Sequence, residues 1–221
     1  MARPPVKAPP VSKSKRFFRS PSYGDASYTR QGTFWFSRTE LKHLGAGTLL
    51  VTLVALSLTG SFIPSEVTLS LSLLFASSFL LHEVAHKFTA QRNRLWSEFR
   101  LAPFGALLTA MSILFPLKII APGAVVISGR STLSTIGRTA FAGPLTNILL
   151  GFGLFFLSLF VSNALISRIL FWGADVNGIL AVFNLIPFGV LDGQKIISWN
   201  VRVWAVAVVL SAALLILNRV F

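Results

Sequence analysis

Residues 68–86 read TLSLSLLFASSFLLHEVAH, which places two histidines and a glutamate inside the long apolar run 67–90. The run is long enough to cross a bilayer as a helix, and His82 and His86 then share one face of that helix. Two imidazoles four residues apart, with Glu83 between them, have the spacing of a hydrolytic zinc site. Charged groups at membrane depth are costly unless they are paired, ligated or hydrated, so we favour metal binding over simple pairing of three polar side chains.

The composition is that of a polytopic membrane protein, because 53% of the residues are hydrophobic and only 12% are charged. The net charge of +13 is concentrated in an N-terminal tail and in short loops. Positive-inside bias explains this distribution, so we expect a lipid bilayer around the chain and no nucleic acid partner. The chain has no cysteine, so any metal must be held by His, Asp or Glu.

Two regions differ in composition. Residues 1–40 are basic and rich in proline, and such a segment cannot bury enough apolar surface to offset the entropy of ordering it. We therefore expect a largely disordered cytoplasmic tail, followed by a transmembrane zinc domain over residues 41–221. The chain could be a monomer or an oligomer.

The expected fold is an all-α polytopic membrane protein. Five apolar runs predict transmembrane helices, at about residues 44–62, 67–90, 139–161, 169–188 and 199–217. A sixth stretch, Ala102 to Ile127, contains three prolines, two glycines and a lysine, a poor composition for a straight spanning helix. We expect it to form a small re-entrant or β-hairpin element after the zinc-motif helix; if it crosses, the helices number six.

Charge asymmetry favours the arrangement in which Ala102 to Ile127 does not cross. With the N-terminal tail inside, 18 of the 20 basic residues then lie on the inner side. A crossing would move Arg130 and Arg138 outside and invert everything after them. This predicts a multi-pass protein of the cell membrane whose N-terminal tail and active site face the cytoplasm.

Two histidines do not complete a catalytic zinc site, so a third protein ligand is expected. In the non-crossing topology Asp192 lies on the same side of the membrane as His82 and His86. It follows a break at Pro187 and Gly189, which lets the chain unwind and turn a carboxylate inward. The other candidates are His43, Glu98 and Asp175.

Two His and one Asp would bind one Zn²⁺ per chain and leave a position for water, with Glu83 as the general base. Asn184, near the helix break, is the preferred donor to the substrate carbonyl, with Asn177 a weaker candidate. Asn147 could orient a ligand, bind substrate backbone or simply pack. Small residues in 139–147 predict close packing of the third span against the second. Lys87, Arg92 and Arg94 suggest a short polar path for water from the inner face.

Three motifs in this order carry a resemblance to a known family: HEVAH at 82–86, AGPLTN at 142–147 and NLIPFGVLDG at 184–193. Together they resemble the site-2 protease family of intramembrane zinc metalloproteases, most closely its compact prokaryotic and archaeal members. The resemblance covers about residues 79–195. Ala85 stands where the family usually has glycine, and no PDZ-like insert is present.

The resemblance implies that His82, His86 and Asp192 bind zinc, that Glu83 is the catalytic base and that Asn184 helps to hold the substrate. It also implies an endopeptidase that cuts transmembrane segments of membrane-anchored proteins, acting on a helix that must partly unwind. The alternative is an inactive scaffold that binds transmembrane helices. A metal or proton transporter is less consistent with the few acidic residues in the spans.

Overall fold

The computed structural model describes residues 34–58, 65–115 and 118–220, which form seven helices and two strands in these ranges. Most of the predicted tail, residues 1–33, lies outside the described residues. In chain order the elements are α1 (Arg38–Ser57), α2 (Glu66–Arg92), β1 (Trp96–Leu101), α3 (Pro103–Ser112), β2 (Gly123–Ser128), α4 (Leu133–Phe160), α5 (Ala164–Asn184), α6 (Asp192–Trp199) and α7 (Val201–Val220).

Side-chain caps fix where five of the described helices begin. In each case a side-chain oxygen just before the helix accepts a backbone N–H from the first turn, which satisfies a group that has no partner inside the helix. The capping residues of α1, α2, α4, α5 and α7 are Ser37, Ser65, Thr132, Asn163 and Asn200.

Four helices are long and apolar enough to cross a membrane: α2, α4, α5 and α7. The fifth long helix, α1, has 20 residues but carries Arg38, Glu40 and Lys42 in its first turns and is not among the four. The described chain is thus an all-helical polytopic protein with a small hairpin, which confirms the expected fold class.

The stretch from Ala102 to Ile127 does not form a spanning helix. β1 and β2 pair antiparallel from Trp96 opposite Ser128 to Leu101 opposite Gly123. The connection therefore leaves and returns at the same place, so it cannot cross the membrane a single time. The sequence did not predict that β1 precedes Ala102, nor that the 10-residue helix α3 lies in the connection.

Helix α4 positions the other elements, since it packs against α2, α5 and α6. Its buried residues Ala140, Gly143, Asn147 and Gly151 recur every three or four positions and so form one face. The predicted close packing of this helix against the HEVAH helix is present. Hydrophobic clusters surround this contact, one of them joining Phe75 and Phe79 of α2 to Phe99 of β1.

Candidate metal centre

His82 and His86 lie on one face of α2, as the four-residue spacing predicts. The two residues are 4% and 6% exposed, and their Nε2 atoms are 3.0 Å apart. Both rings therefore direct the same nitrogen at one small, buried volume.

Asp192 reaches this volume because the chain breaks after α5. That helix ends at Asn184, Gly189 takes a positive φ of 61°, and α6 begins at Asp192 itself. The turn is closed tightly, since a Cβ on Gly193 would overlap with the carbonyl oxygen of Leu185. The break at Pro187 and Gly189 thus turns the carboxylate toward the histidines, as the sequence indicated.

The three donor atoms form a triangle of the size that a tetrahedral metal needs. Asp192 Oδ2 lies 3.4 Å from His82 Nε2 and 3.0 Å from His86 Nε2. Ligands at about 2.0–2.1 Å from a tetrahedral zinc ion are separated from one another by about 3.3 Å. Among the described residues these three side chains are the group that could hold a metal ion.

The hydrogen bonds on the far side of each ring decide which nitrogen is free. His82 Nδ1 lies 2.5 Å from Asn147 Oδ1, and His86 Nδ1 lies 2.7 Å from the backbone oxygen of Thr139. A carbonyl oxygen only accepts, so both Nδ1 atoms carry the proton and both Nε2 lone pairs point at Asp192. Three acceptors that converge without a donor between them suit a cation, so the residues fit zinc.

A buried amide network holds Asn147 in this orientation. Its Nδ2 donates to Asn177 Oδ1 over 3.0 Å, and Asn177 Nδ2 donates to Ser78 Oγ over 2.9 Å. Since the amide nitrogen of Asn147 is engaged there, its oxygen must face His82. The geometry thus suits the ligand-orienting role that the sequence left open; the substrate-binding role stays a prediction. Ser78 was not singled out in the sequence, because a serine on an apolar helix is common.

A cation stands beside the carboxylate of Asp192, since the Lys195 ammonium lies one helical turn further along α6 and favours the ionised form. Lys195 Nζ is 3.3 Å from Asp192 Oδ1, the oxygen that faces away from the histidines. The carboxylate is thus kept ionised, as a metal ligand must be.

Glu83 lies beside the three donors and is also buried. The backbone N–H of Val125 in β2 acts electrostatically on its carboxylate, and β2 packs against α2, while Oε2 has no partner among the described residues. A buried carboxylate oxygen without a donor is rare and calls for a chemical reason. Sequence reasoning gave no sign that the hairpin would touch Glu83.

Gly143 is the point where α4 approaches the site. A Cβ there would lie 2.6 Å from His82 Nε2 and still closer to His86 Nε2. The sequence marked this residue only as one of several small packing residues. The structure shows that the space above both imidazoles exists because residue 143 has no side chain.

The other candidates form bonds with groups other than the three donors. Asn184 is half-buried and its amide donates to the Leu180 carbonyl of its own helix. The remaining potential ligands have partners of their own: Glu98 pairs with Arg100, Asp175 with Arg219, and His43 Nδ1 accepts from the Leu101 N–H.

Lys87, one of the three basic residues behind the expected polar path for water, does not face solvent, and the path itself stays a prediction. The Lys87 side chain is buried and forms an ion pair with Glu40 of α1, with Nζ 2.8 Å from Oε2. Glu40 carries no signal of this pairing in the sequence, because a glutamate in the first turn of a helix is ordinarily solvated.

A known protein is similar in sequence to this chain. A protein of the archaeon Methanocaldococcus jannaschii that carries the name "Putative zinc metalloprotease" is 39% identical over 133 residues, which is 59% of this chain and 70% of the relative. The chain belongs to that zinc metalloprotease family. No family model and no solved structure matches it. For a zinc metalloprotease, the buried group of His82, His86 and Asp192 is the natural place for the metal.

Proposed function

We propose that this metalloprotease is an intramembrane zinc endopeptidase of the site-2 type, which cleaves transmembrane segments of membrane-anchored proteins. One observation carries the proposal. The three residues that supply the donor atoms are buried, as is Glu83, and His82, Glu83 and His86 lie on α2, a helix long and apolar enough to span a bilayer. A protease whose metal lies at membrane depth must receive its substrate there.

His82, His86 and Asp192 would hold one zinc ion, which when bound polarises the scissile carbonyl and lowers the pKa of water. Glu83 would take a proton from the attacking water and deliver it to the departing amine nitrogen as the C–N bond breaks. Oε2 of Glu83 is the atom we assign to that proton, because it is buried and has no other partner in the described chain. Asn184 would turn its amide from the Leu180 carbonyl toward the substrate carbonyl.

A substrate helix must be unwound before a peptide bond can reach these residues, since its backbone groups are otherwise satisfied internally. The unwound segment needs new hydrogen-bond partners in a dry environment. We assign these to the outer edge of β2, meaning the edge away from β1, because β2 packs against α2 and the backbone N–H of Val125 on this edge acts on the Glu83 carboxylate. Addition of an extended segment to a sheet edge supplies backbone partners in register.

We further propose that the protein lies in the cell membrane with its N-terminal tail and active site toward the cytoplasm. The distribution of basic residues supports this orientation. A membrane-impermeant chelator should then inhibit inside-out vesicles first. Equal inhibition of right-side-out vesicles would contradict the orientation without affecting the proposed chemistry.

The decisive experiment is reconstitution in liposomes with a synthetic 22-residue Leu/Ala transmembrane peptide carrying Asn-Gly at its centre. Wild type should cut the peptide inside its apolar segment, as mass spectrometry of the products would show. Glu83→Gln should retain zinc and lose cleavage by about a thousandfold or more, because the proton acceptor is gone. Asp192→Asn should lose zinc affinity as well.

Two results would overturn the proposal. Cleavage of casein in water but of no membrane peptide would indicate an ordinary peptidase in a membrane. Stoichiometric zinc without cleavage of any peptide would favour a scaffold that binds transmembrane helices.

A further inference from the structure

The two outer edges of the β1–β2 hairpin differ in the hydrogen bonds that other elements of the described chain make to them. Residues 97, 99 and 101 of β1 direct backbone groups away from β2, and we call this the outer edge of β1. Residues 123, 125 and 127, which stand opposite them, do the same on β2. An unpaired strand edge is a template for another extended chain, so which edge stays open decides where such a chain binds.

Helical side chains satisfy the outer edge of β1. Lys87 Nζ donates to the Ser97 carbonyl over 2.8 Å. The Phe99 N–H donates to Glu40 Oε1 over 2.9 Å, and the Leu101 N–H donates to His43 Nδ1 over 3.3 Å. These side chains supply the hydrogen bonds that a third strand would supply. We call Glu40, His43 and Lys87 the edge cap.

The edge cap is anchored by a buried charge pair. Glu40 and Lys87 are 0% and 1% exposed, and they bond to each other as well as to β1. Lys87 Nζ also lies 4.9 Å from the centre of the Phe36 ring. Because Lys87 directly follows His86 on α2, the same pair fixes the hairpin relative to the metal-binding helix.

In the part of the chain that the structure describes, the outer edge of β2 carries no comparable cap. No side chain there bonds to the outward backbone groups of Gly123 or Ile127, while β2 packs against α2 and the Val125 N–H acts electrostatically on the Glu83 carboxylate. The open edge is therefore the edge beside the catalytic base.

We propose that Glu40 is a positioning residue, which acts through Phe99 and Lys87 to direct an extended substrate to β2 and to set which of its peptide bonds meets Glu83. This inference rests on the proposed function. It differs from a purely structural role in one measurable respect. A loosened hairpin would present the substrate in more than one register, and a shift of one residue moves a different bond into the site.

Two charge-neutral double variants separate the cap from the ion pair. Glu40→Gln with Lys87→Met removes both buried charges but keeps an amide oxygen to accept from the Phe99 N–H. Glu40→Leu with Lys87→Met removes the same charges and leaves that N–H without an acceptor. The two proteins share the loss of both charges and differ at residue 40 in whether an acceptor faces the Phe99 N–H, so effects of charge removal cancel between them.

We expect both variants to bind zinc, and we expect the Gln variant to cut the Asn-Gly peptide mainly at the wild-type bond. The Leu variant should cut at two or more neighbouring bonds, with kcat/KM lower than in the Gln variant by about tenfold or more, because the reacting groups are misplaced. Mass spectrometry of the products gives the cut positions, and hydrogen exchange at the Phe99 amide reports the cap directly.

The outcomes are distinguishable. Identical cut positions and rates in both double variants would overturn the positioning role while leaving the proposed function intact. If the Phe99 amide exchanges equally in both, the Glu40 contact does not hold β1 and the inference fails for that reason. Absence of cleavage by the wild-type protein would instead refute the proposed function, and the inference with it.

Discussion

Replacing Gly143 by alanine tests the packing above the metal centre with the smallest possible change. The new Cβ would lie 2.6 Å from His82 Nε2 and nearer to His86 Nε2, whereas carbon atoms normally keep about 3.5–4 Å from their neighbours. Helices α2 and α4 must therefore separate by about 1 Å. Zinc sites tolerate donor displacements of only about 0.2 Å.

The separation also stretches two hydrogen bonds that orient the rings, from His82 to Asn147 and from His86 to the Thr139 carbonyl. Loss of one such outer partner weakens metal binding about 10–100-fold. For two we expect a loss of about 10²–10⁴ in zinc affinity, or about 3–5 kcal/mol.

The assay is competition for zinc with a fluorescent chelator in detergent micelles, followed by cleavage of the Asn-Gly peptide. Gly153→Ala is the matched control, because Gly153 lies on the same helix and a Cβ there meets nothing within 4 Å. Alanine favours helix over glycine by about 0.5–1 kcal/mol, so this control should fold at least as well as wild type and bind zinc equally. If Gly143→Ala binds zinc as tightly as Gly153→Ala, the close approach of α4 does not govern the metal site.

Three further results are expected. Asn147→Leu should lower zinc affinity about 10–100-fold, since His82 loses the acceptor that fixes its ring; unchanged affinity in the chelator competition would show that the ring is held by packing alone. Lys195→Ala should change zinc affinity by less than tenfold, because the lysine is 41% exposed and such pairs contribute about 1 kcal/mol or less; isothermal titration measures this, and a larger loss would contradict it. Removing zinc with a chelator should lower the unfolding temperature, because only the folded state brings the three donors together; equal melting curves with and without zinc would count against the site.

The sequence by itself determined the features that depend on spacing along one element. His82, Glu83 and His86 lie within five residues of one helix, so the 3.6-residue period alone puts both imidazoles on one face. Proline and glycine act locally, so the break before Asp192 could also be read from Pro187 and Gly189. The distribution of basic residues among the loops then predicted that Asp192 lies on the same side of the membrane as His82 and His86.

Only the tertiary structure decided which distant groups touch these residues. Asn147 could have oriented a ligand or merely packed, and the choice depends on a hydrogen bond across 65 positions of sequence. A backbone N–H is common to nearly all residue types, so the sequence could not predict that the N–H of Val125 faces Glu83.

Glu40 and Lys87 show the same limit for charge. In the sequence, each of these two residues has the pattern of a solvated residue near a helix end. They are 47 positions apart, and no local pattern predicts that they form a pair. Burial removes both from water only because α1, α2 and β1 converge there. Local pattern thus specified the helix that carries His82, Glu83 and His86, whereas the surroundings of these side chains depend on contacts between elements, which pattern does not encode.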